Sequence, residues 1–80
     1  MSNNLNYYIE YLDINTLSYT QPMYIRSTAV MSDRITDARM FDTELQAIAY
    51  RLVLYRNDMV ERCRCTIKSI SDVELVALHL

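Results

Sequence analysis

The sequence predicts a small α+β domain: an antiparallel sheet of three to four strands, one main helix packed on one face, and a tail able to close as a short C-terminal helix. Three observations lead there. Residues 6–12, 23–30 and 59–70 are rich in Tyr, Ile, Val and Thr, with alternation suited to strands. The run Thr43-Glu44-Leu45-Gln46 is a capping-box pattern, and apolar residues follow it at helical spacing. At 80 residues the chain is expected to be a single domain, 1–80, near the small end of what folds alone.

The elements follow in order. In NYYIEYL (6–12), Tyr7, Ile9 and Tyr11 share one face, and Tyr8 and Glu10 the other. DINTLSYTQP, ending at Pro22, reads as a loop. MYIRSTAV (23–30) reads as a second strand, with Met23, Ile25, Ser27 and Ala29 opposite Tyr24, Arg26 and Thr28. MSDRIT reads as a turn, and DARMF (37–41) as a short third strand.

The Thr43 hydroxyl can accept from the amide three residues on while Gln46 reaches back. Asp42 and Glu44 put negative charge at the helix's positive end. The helix is expected from about Glu44 to Arg56, stopping at Asn57-Asp58. Leu45, Ile48, Ala49, Leu52 and Val53 are expected to face the sheet, with Arg51 and Arg56 in water. In the last strand (59–70), Glu61, Cys63, Cys65 and Ile67 oppose Arg62, Arg64, Thr66 and Lys68. Ser71-x-x-Glu74 repeats the capping pattern and favours a short helix, although the Val and Leu alternation there also suits an edge strand.

One helix covers one face of such a sheet; the other must meet water, the tail or a partner. The strand readings gather Tyr8, Glu10, Tyr24, Arg26, Arg62, Arg64 and Lys68 on that second face, as the candidate binding residues. Tyr and Arg anchor protein interfaces because both combine large contact area with polar ends. The same residues also suit a solvated sheet surface, or stacking on a base. With a net charge of −2 and a pI of about 5.1, the chain is no magnet for a long polyanion.

Catalytic classes find little to work with. The sequence contains no Gly, which excludes the usual forms of Gly-rich phosphate loops and nucleophile elbows. His79 is the only His and has no Ser or Cys partner at a recognisable spacing. Asp33, Asp37 and Asp42 read as turn-forming and capping residues, and the five Met as core or adaptable contact surface. Cys63 and Cys65 read as small core residues, because zinc would need four ligands and His79 is the one other obvious candidate. No cofactor and no metal is therefore expected.

No apolar run approaches the roughly 20 residues that span a bilayer, and the N-terminus lacks the basic-then-apolar order of a signal peptide. A cytoplasmic chain with reduced cysteines and no membrane contact is the expectation. An exposed sheet face or edge on so small a domain also leaves room for a homodimer.

From Tyr24-Ile25-Arg26, through Ala38, Arg39, Phe41 and Thr43, to Ala47, the sequence resembles small accessory proteins encoded by bacteriophages. In these, a strand hairpin precedes an Ala-Arg/Lys-x-Phe-x-Thr motif and a capped helix. The resemblance covers about Tyr24 to Val53, and this chain departs from it in its long polar loop and glycine-free turns. It implies a non-enzymatic protein that binds a bacterial host protein, such as a defence-system component, and inhibits or redirects it in the host cytoplasm. The alternative is a nucleotide or single-stranded nucleic-acid binding module using the Tyr/Arg face.

Overall fold

The computed structural model describes residues 4–13, 22–56 and 63–80. Residues 14–21 of the expected 13–22 loop, the Asn57-Asp58 stop, the start of the last strand at Met59 and the position of Arg62 lie outside these residues. The described residues form a four-stranded antiparallel sheet in the order β3-β2-β1-β4. Its members are β1 (Leu5–Asp13), β2 (Met23–Ile25), β3 (Met31–Ser32) and β4 (Cys63–Ser71). Helix α1 (Glu44–Arg56) lies on one face, and helix α2 (Asp72–Leu78) follows β4 directly.

The central ladder is β1 with β4. Both strands run nine residues and pair along their whole length, from Leu5 opposite Ser71 to Asp13 opposite Cys63. This register places Tyr7, Ile9 and Tyr11 with Ile67 and Cys65, and Tyr8 and Glu10 with Lys68 and Thr66, as the alternation requires.

The second expected strand is cut short. It ends at Ile25 because Arg26 and Ser27 both donate their amides to the Val30 carbonyl, at 3.0 and 3.1 Å, while Ala29 donates to the Ser27 hydroxyl at 3.2 Å. A serine side chain thus supplies the local acceptor that reverses the chain. The return leg, β3, falls within MSDRIT, where a turn is expected. The Ser32 hydroxyl then accepts from the Arg34 amide at 3.1 Å and donates to the Asp37 carboxylate at 2.7 Å, fixing a 3₁₀ turn over Ile35–Asp37.

Segment 37–41 becomes an edge filler instead of a full third strand. Arg39 donates to the Ile25 carbonyl at 2.9 Å, and Phe41 exchanges two backbone hydrogen bonds with Tyr7, at 2.9 and 2.8 Å. Phe41 therefore pairs with β1 where β2 has already turned away. Thr43 caps α1 as expected, accepting from the Gln46 amide at 3.2 Å. The reciprocal bond is shifted by one residue, since the Gln46 side-chain Oε1 accepts from the Asp42 backbone amide at 3.1 Å.

The face that α1 buries differs from the expected one. Ala47 and Leu54 are fully buried, Tyr50 is half-buried, and all three join Ile9, Ile25, Phe41 and Cys65 in one cluster. Leu45 is 75% and Leu52 54% exposed, and Ala49 and Val53 are exposed as well. Two constraints account for this rotation. The Tyr50 ring packs on Phe41 at 5.2 Å, which turns that side of the helix inward. The sheet face below carries the large Tyr7 and Tyr11 rings, and the small Ala47 is fully buried in the cluster they pack against.

Arg51, expected in water, is half-buried and donates to the Cys65 carbonyl at 3.3 Å. Tyr7 turns both its backbone groups toward Phe41, so alternation along the ladder points the Cys65 carbonyl to the outer edge of β4. Arg51 thus covers part of an edge that could otherwise template strand pairing.

A second cluster occupies the opposite sheet face, where Tyr8, Ala38 and Ile70 are packed by Tyr24, Ile35, Met40 and Leu75. The tail is therefore a helix. Its Ser71 hydroxyl caps it by accepting from Glu74 at 3.2 Å, and the Asp72 amide donates to the Asn4 carbonyl at 3.1 Å.

The rotation of α1 predicts contrasting substitutions. Leu54→Ala should cost about 2–5 kcal/mol in urea unfolding, as for a fully buried leucine. Leu52→Ala should stay within about 0.5 kcal/mol, as for an exposed position. Equal losses at the two sites would contradict the observed helix face.

Candidate interaction surface

The residues singled out from the sequence are only partly brought together at a free surface. Tyr8 is 7% exposed and its ring lies 5.9 Å from that of Tyr24, beneath Leu75 of α2 and the 35–40 segment. The Lys68 ammonium is 3.1 Å from the Glu10 carboxylate across the β1–β4 ladder. Arg26 is exposed where β2 ends, and the Arg64 backbone stands opposite Leu12. The face expected to be open is thus covered over Tyr8 by the tail, while Lys68, directly opposite on β4, remains exposed, as do Thr66 and Leu12 farther along. A base stacking here would find the Tyr8 ring covered and the Lys68 charge shared with Glu10.

Local electrostatics follow this packing. Burial pushes the Tyr8 phenol above its ordinary pKa, against the pull of nearby Lys68. The hydrogen bond to Glu10, reinforced by its charge, raises Lys68.

Most of the exposed large apolar side chains lie elsewhere, on the helices. In α1, Leu45, Ile48, Ala49 and Leu52 recur at i, i+3, i+4 and i+7 and form a stripe directed away from the sheet, with Ile48 half-buried and the others exposed. Val73, Val76, Ala77 and Leu80 repeat this spacing along α2 and just past its end, all exposed. Leu75 alone among the apolar residues of α2 is placed in the cluster beneath. Helical spacing marks the α1 stripe in the sequence, where it is expected to face the sheet. The signal for the opposite rotation was Phe41, two residues before the cap, together with its aromatic partner Tyr50.

The two stripes differ at their ends. Helix α1 has Asp42 just before its cap, Glu44 in its first turn and Arg56 in its last, whereas α2 carries Asp72 and Glu74 in its first turn and no basic residue in its last. An open cleft of about 590 Å³ lies where β1 begins, lined by residues that include Asn6, Tyr7, Asp42 and Asp72. Asp72 there already accepts from the Asn6 amide at 2.6 Å. Among the described residues no group of three or more His, Cys, Asp or Glu could hold a metal ion, and no helix is long and apolar enough to cross a membrane.

Compared with known proteins, the chain matches no family model, no curated protein and no solved structure.

The alkaline limb of stability tests the Tyr8 environment. A phenol raised by burial keeps its proton in the folded chain after the unfolded chain has lost it. Its stabilising contribution is complete below the unfolded value of 10.0 and is lost as pH rises through the folded one. Lys68, also raised, loses its contribution in the same direction. Urea midpoints should therefore fall as pH rises above about 10, and Tyr8→Phe should flatten part of that fall. An unchanged alkaline slope in a folded Tyr8→Phe variant would contradict the burial.

Proposed function

We propose that this chain is a non-enzymatic interaction protein that binds a bacterial host protein and inhibits or redirects it. The observation that carries this reading is the outward apolar stripe on each described helix. A leucine transferred from water to an apolar contact contributes roughly 1.5–3 kcal/mol, so two such stripes are a large uncovered driving force for association on so small a domain. The exposed polar part of the sheet face, with Arg26, Thr66 and Lys68, offers the kind of rim that surrounds an apolar contact. The resemblance of Tyr24 to Val53 to small phage accessory proteins supports a host protein, such as a defence-system component, as the partner.

The test uses tagged chain to capture proteins from bacterial lysate, with identification by mass spectrometry. The wild type is compared with Val73→Lys/Val76→Lys, whose fold is checked by circular dichroism. A specific protein enriched by the wild type and lost with the variant is expected. Identical capture by both would remove the α2 stripe from the interface, and no specific capture would contradict the reading.

A further inference from the structure

We infer that the α1 stripe is a self-association surface: α1 packs antiparallel against α1 of a second copy, about a two-fold axis passing between Ile48 and Ala49. The inference rests on the interaction reading and names the occupant of one of its two stripes.

The spacing i, i+3, i+4, i+7 reads the same in both directions, so a two-fold axis at its centre maps the stripe onto itself. Leu45 then meets Leu52 of the second copy, and Ile48 meets Ala49, a large residue against a small one at each central contact. Small residues at the crossing let helices approach to about 8–10 Å.

Charge selects this arrangement over the others. The same axis carries Arg56 to the level of Phe41 in the second copy, next to the exposed Asp42 and Glu44, and does so at both ends. A parallel pair would set Glu44 beside Glu44 and Arg56 beside Arg56. Two α2 helices would bring together acidic first turns with no basic last turn to meet them. The antiparallel pair also places each helix's positive end against the other's negative end. The stripe is open to the contact, since Leu45, Ala49 and Leu52 are exposed and Ile48 is half-exposed.

A single pair of short helices buries less than the roughly 800 Å² per partner of a standard interface, so the dimer is weak, with Kd in the micromolar range. The opposite side of the molecule, with α2 and the open part of the sheet, stays available to a different protein.

Sedimentation equilibrium of the full chain from about 1 µM to about 1 mM is the direct test. The wild type should pass from monomer to dimer without larger species. Leu52→Glu should weaken dimerisation by at least about tenfold, since it places a carboxylate in the apolar contact. Arg56→Glu should weaken it about 3- to 10-fold, and adding Glu44→Arg should restore most of the loss. Both lead positions are exposed in the monomer, and circular dichroism checks that each variant folds. A wild-type chain that stays monomeric throughout overturns the inference, as does a dimer indifferent to both substitutions. A monomeric chain that still captures a bacterial protein through α2 overturns the pairing alone and leaves the interaction reading standing.

Discussion

The backbone bridge between Tyr7 and Phe41 is the constraint on which the rest of the described structure depends. Strand β2 pairs with β1 at Glu10 and Tyr11 and turns away after Ile25, which would leave the Tyr7 amide and carbonyl bare at a partly buried position. Phe41 satisfies both groups and carries its own ring into the cluster beneath α1. Two residues later Thr43 caps the helix. The start of α1 is thereby fixed in space, and the short link leaves it little rotational freedom.

Rotation follows from the aromatic contacts made on that link. The Arg39 guanidinium lies 4.9 Å from the Tyr50 ring and 5.5 Å from that of Phe41, so the edge segment grips the helix from outside as well. With Tyr50 turned inward, Ala47 and Leu54 go with it, three residues before and four after. A helix advances about 100° per residue, so Leu45, Ala49 and Leu52 must then face outward. The most apolar side of α1 is exposed because the sheet holds the other side, and this makes the fold and the candidate surface consequences of one contact.

Much of the architecture was legible in the sequence. The limits of α1, the faces of β1 and β4 and both helix caps depend on local chemistry that the chain states openly: alternation, Thr43 with Gln46, and Ser71 with Glu74. The failures involve non-local choices. Ser27 turns the chain early, Phe41 pairs with a residue 34 positions away, and the helical spacing of the α1 stripe carries no information on which way the helix is rotated. Tyr8, Tyr24, Glu10 and Lys68 share the second sheet face as parity expects, through the Tyr8–Tyr24 and Glu10–Lys68 contacts. Parity could not tell that Leu75 of the tail would cover one end of that face.

The central claim, that the Phe41 bridge turns the apolar stripe of α1 away from the sheet, is tested most directly by methyl nuclear Overhauser spectroscopy. Leu54 methyls should show cross-peaks to the side chains of Ile9, Ile25 or Phe41, with which they share a buried cluster. Leu45 and Leu52 methyls should show none to those residues, whether the chain is a monomer or is paired through α1. Cross-peaks from Leu52 or Leu45 to Ile9, with none from Leu54, would contradict the account.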